Sequence, residues 1–420
     1  MRIWILQTGE PVPTDKSGFR PMRAMNLLSA LSHLGHEITL WTSDFDHFTK
    51  SHRGLTGGQI ALTNTVKIKF IPSMGYKSHF GLRRFLDHSQ LGLSSIRMLR
   101  GQQSPDVAFI GYPPIESAWV FSRWLKKRKV PFLVDIKDVW PDLIVTSFPR
   151  QFQKFLRILL SPHFLMMKST FARANGIVSI SQDFLEWGLE NANRSQGLLD
   201  CVAPLTSPDI EFTPEELLSA KAFWDSHGVL ENEIPTVYFV GTLSANFNFE
   251  PVLRAASKSN IQFVIAGDGP ERLKLLKSAT RFKNVVVPGW ISSSQAFILA
   301  QRASIAIGPT IDRHDFEMSM PNKFIDAFRL GKPMLTSNQG VVSELLIENN
   351  AGRVYTNSIP DSFLIELQEM ISDNDLLQKM GTSARQLYDE QFSFDKIYTN
   401  LVGLLESTIK SGMRTDKGDK

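Results

Sequence analysis

A chain of 420 residues is long for one domain and natural for two of about 200 each, with 42% apolar residues to furnish two cores. One cysteine, Cys201, excludes an internal disulfide and fits a reducing cytoplasm; no apolar run reaches bilayer-spanning length, so any membrane contact is expected to be peripheral. The net charge of +4 hides an asymmetry: residues 1–200 hold 25 Lys and Arg against 15 Asp and Glu, net +10, and the remainder is net −6.

A basic half attracts anionic lipid head groups, nucleic acid or an anionic substrate. Nucleic acid is set aside, because the chain shows no helix-turn-helix, zinc-ligand or aromatic-platform pattern. In chain order, MRIWILQ reads as a first strand and not as a signal peptide. Arg20 and Arg23 follow in the loop RPMR; three apart, they fit one helix face toward an anionic acceptor or phosphates, or the solvated start of a helix. Residues 51–100 carry eight Lys and Arg and one acid, Asp87. The segments 75–88 and 151–173 are candidates for a membrane face. The second mixes Phe, Leu, Ile and Met with Lys154, Arg157, Lys168 and Arg173, as interfacial helices do; the alternative is an amphipathic helix packed on its own sheet and broken at Pro162. Between them FLVDIKDVWPD (132–142) sets Asp135 and Asp138 behind a strand, to orient groups at a site or to cap a turn. The histidines show no metal-ligand spacing. Three prolines in 200–214 mark a domain boundary before a helix near Pro214.

The second half repeats one pattern. An apolar strand (237–240) ends at Gly241, a second (263–266) at Gly267-Asp268-Gly269-Pro270, a third at Gly289 and a fourth at Gly308, with helical stretches between. That alternation predicts a parallel, doubly wound sheet with ligands at the carboxyl ends of its strands. After the fourth strand, SMPNKFIDAFRLGKP (319–333) predicts a short helix with Pro321 at its first position and Gly331 and Pro333 as the stop. Its free N–H groups at Asn322 and Lys323, with the Lys323 ammonium, suit a diphosphate; Asp326, one turn on, suits ribose hydroxyls. The bland alternative is a well-capped surface helix.

These motifs, Gly241-Thr242-Leu243, Gly267 to Pro270, Val287-Pro288-Gly289-Trp290 and Asn322 to Pro333, stand in the order and at the spacing of the retaining glycosyltransferases of the GT-B fold, family 4, which the chain resembles. The first half agrees more loosely, through the opening strand and residues 132–142 and 174–184. The resemblance implies an α/β chain of two Rossmann-like doubly wound domains facing a cleft: 1–205 for the acceptor, 206–392 for the nucleotide sugar, a helix over 393–409 crossing back to the first domain, and a disordered tail over 410–420.

It further implies a retaining enzyme moving a hexosyl or N-acetylhexosaminyl group from a nucleotide diphosphate to a lipid-linked or polysaccharide-precursor hydroxyl. Its place would be the cytoplasm, peripheral on the inner face of the membrane of a bacterial cell, and it would need neither metal nor cofactor. Donor binding falls to Gly241, Thr242, Gly267, Gly269, Trp290, Asn322, Lys323 and Asp326; catalysis to Lys323, Asp138 and Glu317; acceptor or phosphate contact to Arg20 and Arg23. Two departures stand out. The Arg and Lys that relatives carry after the first strand of the second domain are absent, the turn offering Thr242, Asn246, Phe247 and Asn248. The first of the family's two spaced glutamates falls on Met318, with Glu317 one residue early, while Asp326 takes the second position. A sugar-nucleotide epimerase and a non-catalytic sugar-nucleotide-binding protein are the alternatives.

Overall fold

The computed structural model describes residues 1–15, 20–77, 81–231, 234–337 and 339–415. They form two compact units: residues 1–207 together with 394 onward, and residues 208–393.

In the first unit the strands run β1 (Arg2–Leu6), β2 (Glu37–Ser43), β3 (Phe45–Asp46), β4 (Ser51–His52), β5 (Gln59–Ala61), β6 (Val66–Ile71), β7 (Val107–Tyr112), β8 (Phe132–Ile136), β9 (Gly176–Ser179) and β10 (Cys201–Val202). Eight of them make one sheet in the order β10-β9-β8-β7-β1-β2-β6-β5, with β3 and β4 a separate antiparallel pair. Neighbours pair in parallel except β5 with β6. The central strands β7 and β8 are buried at every residue, the continuous apolar run expected of a parallel sheet covered on both faces.

The last helix, Phe394–Thr415, belongs to this unit: Ile397, Tyr398, Leu401 and Leu405 pack with Leu27, Leu31 and Leu40. It continues beyond the 393–409 read from the sequence, so residues 410–415 of the expected disordered tail are helical, and 416–420 lie outside the described residues. The segment 151–173 is two helices, Arg150–Leu159 and Ser161–Arg173, with Pro162 in the first turn of the second, where a missing N–H costs nothing.

The second unit opens on the helix Pro214–Ser226, whose Thr213 and Glu216 form a reciprocal cap. Its sheet is β11 (Thr236–Val240), β12 (Gln262–Ala266), β13 (Val285–Gly289), β14 (Ile305–Gly308), β15 (Met334–Thr336) and β16 (Gly352–Val354). The order is β13-β12-β11-β14-β15-β16 and every pair is parallel. The order reverses at β11 and β14, and ligands of doubly wound sheets bind at the carboxyl ends beside such a switch. Two clusters, one around Trp224 and Phe324 and one around Phe239 and Phe263, supply the core.

Candidate functional site

The loops at the carboxyl ends of β11, β12 and β13 are laced backbone to backbone. Gly241 N–H donates to Ala266 O (3.1 Å), Gly267 N–H to Gly289 O (2.7 Å) and Leu243 N–H to Asp268 O (2.9 Å). Gly267 and Gly269 hold φ of +140° and +151°, and a Cβ on either would overlap the carbonyl oxygen of Gly241 or Leu243. The glycines of the Gly-Asp-Gly-Pro turn are therefore demanded by the approach of two loops as well as by backbone conformation.

Into this corner comes the helix Asn322–Arg329. Pro321 is its cap residue with extended backbone, one position earlier than the sequence reading placed it, so Asn322 and Lys323 provide the first free N–H groups. The Lys323 Nζ stands 3.5 Å from the centre of the Phe247 ring and 4.6 Å from that of Phe239, and a Cβ on Gly241 would lie 3.3 Å from it. Gly241, Gly267 and Lys323, far apart in sequence, are thus brought together. Burial of the ammonium end lowers the Lys323 pKa to about 7, while the two ring faces favour the charged form.

The turn after β11 lacks the expected cations, but the structure brings one to it. Phe247 bridges Thr310, Asn248 N–H donates to Pro309 O (2.7 Å), and Ile311 N–H to Asn246 O (3.1 Å), which ties this turn to the loop after β14. Arg313 of that loop donates from a terminal nitrogen to Asn246 Oδ1 at 3.1 Å, with its guanidinium 4.7 Å from the Phe316 ring centre. Phe316 lies 6.4 Å from Phe247, the ring that Lys323 caps. Sequence reasoning missed Arg313 because the pairing of two loops 67 residues apart leaves no local signal; a lone Arg five residues after a strand-ending glycine was the available hint.

Other expected donor residues are more scattered. Thr242 is exposed, Trp290 is 63% exposed just past β13, and Asp326 is half-buried near Tyr238, whose hydroxyl is pushed to a high pKa by burial first and by the Asp326 charge second. Glu317 ends the short helix His314–Glu317 and faces His314 Nδ1 at 3.3 Å, and its backbone carbonyl packs where a Cβ on Gly340 would sit. Asp326→Ala is expected to weaken nucleotide-sugar affinity by roughly 1.5 to 3 kcal/mol, the worth of hydrogen bonds to a charged group. Calorimetry checks it, and equal affinity in mutant and wild type removes Asp326 from the site.

In the first unit a cavity of about 370 Å³ opens at the carboxyl ends of β1, β7 and β8, lined among others by Thr8, Glu10, Arg84, His88, Lys137 and Asp138. Asp138 is half-buried on its wall. Burial and neighbouring Arg84 push the His88 pKa down to about 3, so this histidine is neutral at physiological pH.

Arg23 is a correction to the sequence reading. It opens the helix Arg23–Ser32, is 1% exposed, donates to Ala203 O and lies 3.5 Å from Asp135, which is 0% exposed. Lys137 joins the same group, 3.4 Å from Asp135 and bonded to Glu10, whose second oxygen accepts from Ala24 N–H at 2.8 Å. Arg23 is consumed by the interior, where an unpaired carboxylate would be costly. Arg20 precedes the helix, shares no face with Arg23, and donates to Ser207 Oγ.

Residues 222–387 match the model of a family described as glycosyl transferases group 1. No curated protein matches the chain. Among solved structures, sucrose-phosphate synthase from Thermosynechococcus elongatus superposes with a TM-score of 0.71 at 14% identity, over 98% of this chain and 99% of that one. HepE of Anabaena, in complex with UDP, gives 0.64 at 13% identity, over 97% and 99%. WaaG, a glycosyltransferase involved in lipopolysaccharide biosynthesis, gives 0.62 at 12% identity, over 96% and 99%. At these identities the likeness is one of fold. With its two Rossmann-like units the chain has the GT-B fold, and residues 222–387, within its second unit, are similar to the group 1 glycosyl transferases.

Proposed function

We propose that the chain is a retaining, family 4 glycosyltransferase that moves a hexosyl or N-acetylhexosaminyl group from a nucleotide diphosphate to a hydroxyl of a lipid-linked or polysaccharide-precursor acceptor. The observation that carries the donor half is the meeting of Lys323, the open N-terminus of its helix and the glycine loops of β11 and β12 at one sheet edge. HepE was crystallised with UDP, with UDP and glucose, and with UDP-glucose, which supports a donor of this class. Lys323, with Arg313 on the same aromatic wall, takes the place of the absent cations and stabilises the diphosphate as the glycosidic bond breaks. No divalent metal is then required. The first-unit cavity with Asp138 receives the acceptor, and the +10 charge of residues 1–200 supports a peripheral place on an anionic membrane surface on the cytoplasmic side.

Screening nucleotide sugars for thermal stabilisation identifies the donor, because a ligand that binds only the native state raises its melting temperature. Product analysis by NMR then reads the anomeric configuration. Inversion overturns retention; donor turnover without an acceptor points to an epimerase; binding without turnover points to a non-catalytic protein.

The site has a pH signature. With its pKa held at about 7, Lys323 is half neutral in the free protein at that pH, and a bound diphosphate favours the ammonium. Donor binding therefore takes up a proton above pH 7, and affinity falls as pH rises past that point. Calorimetry at pH 8 in buffers of different ionisation enthalpy checks this; heats that do not change with the buffer refute it.

A further inference from the structure

The helix Arg150–Leu159 contains no buried residue. Phe152, Phe155, Ile158 and Leu159 are 50%, 63%, 67% and 60% exposed, joined by Phe148 at 48% and, from the next helix, Leu165 at 68%. At 100° per residue the four within the helix lie on one side, with Gln151 among them, while Arg150, Lys154 and Arg157 gather on the other. An amphipathic helix normally hides its apolar stripe against its own fold. This one presents it to solvent.

Charge decides what covers it. Residues 143–182 contain five Lys and Arg and no Asp or Glu. Arg157 pairs with Asp142 at 2.7 Å, while Arg150 and Lys154 make no ion pair among the described residues. An anionic bilayer suits this division: the apolar side enters the acyl boundary while the long stems of the Arg and Lys on the other side bring their charges to the head groups.

The patch also adjoins the first-unit cavity. Phe85, in the helix Leu82–Met98, packs edge-on to His163 of the helix Ser161–Arg173 at 5.7 Å. The same helix sends Arg84, Asp87 and His88 into the cavity wall and leaves Leu82 and Leu86 77% and 51% exposed.

We infer that the helix Arg150–Leu159 is an interfacial anchor that seats on an anionic phospholipid surface and sets the first-unit cavity at the level of the head groups, where an acceptor with a lipid tail would present its hydroxyl. This rests on the peripheral-membrane part of the proposed function and adds the element that enters the lipid. The test is flotation of the full chain with vesicles of phosphatidylcholine, alone or mixed with phosphatidylglycerol. Wild type floats with the mixed vesicles, and Phe155→Ser/Ile158→Ser and Arg150→Glu/Lys154→Glu each lower partition by about tenfold or more, because binding grows with both buried apolar area and electrostatic attraction. All four side chains are exposed, so both variants keep the wild-type melting temperature. Phe155→Trp shifts its emission to the blue with the mixed vesicles. Wild-type partition unchanged in Phe155→Ser/Ile158→Ser overturns the anchor and leaves the peripheral reading standing. Absence of wild-type binding even at low salt overturns both, and a vesicle-free dimer dissolved by Phe155→Ser/Ile158→Ser assigns the face to a second copy instead.

Discussion

Lys323→Ala is expected to lower turnover by about a hundredfold or more while weakening donor binding far less. The ammonium stands beside Gly241 on two aromatic faces, at the sheet edge where a diphosphate would lie, and charge on that leaving group grows only as the glycosidic bond breaks. Loss of one preorganised cationic contact typically costs on the order of 10² to 10³ in rate. Lys323→Met keeps most of the stem that packs against Phe239 and Phe247, and so separates lost packing from lost charge. Both variants should fall together in kcat. Arg313, held at 3.1 Å by Asn246, is the second cation on this wall and remains in both variants, as does the open helix N-terminus. The same assay in a chelator tests the metal-free part of the proposal: wild type stays active. A chelator-silenced wild type, or a Lys323→Met enzyme as fast as wild type, shows that the leaving charge is handled elsewhere.

The second unit was legible because its determinants are local. A strand-ending glycine, a left-handed turn and a capped helix each leave a mark within ten residues, and the structure sets Gly241, Gly267, Gly269 and Lys323 at one sheet edge from those marks. Legibility failed where a side chain's fate depends on chain distant in sequence. Arg23 carries the same charge as Arg20, yet it faces Ala203 and Asp135, contributed more than a hundred residues later, and is lost to solvent. Arg313 fails in the opposite sense: an unremarked loop residue becomes part of a candidate site through the pairing of Phe247 with Thr310. The helix Arg150–Leu159 is a third kind of case. Its amphipathicity was plain, but periodicity alone cannot say whether an apolar stripe faces a core or the outside.

The buried cluster around Arg23 carries the other large expected effect. Asp135 is the one carboxylate paired with the Arg23 guanidinium among the described residues, and both are shut away from water. Asp135→Asn keeps the shape of the side chain and removes its charge, leaving an interior cation without a counter-ion. Breaking such a pair costs about 3 to 5 kcal/mol, against a total stability that for most domains is only about 5 to 15. The final helix shares this core, since Tyr398 lies near Arg23 and its hydroxyl is pushed to a high pKa by burial, so loosening there should also release Phe394–Thr415. Chemical denaturation should show the transition of the first unit moving to lower denaturant while that of the second stays, with nucleotide-sugar affinity unchanged. Two units need not unfold together, so the two transitions are read separately. Replacing both partners by apolar residues of similar size, Arg23→Met with Asp135→Leu, should recover most of the loss, because neither ion is then left unpaired. If Asp135→Asn is as stable as wild type yet loses turnover, the pair is not structural and Arg23 returns to the list of groups that meet the substrate.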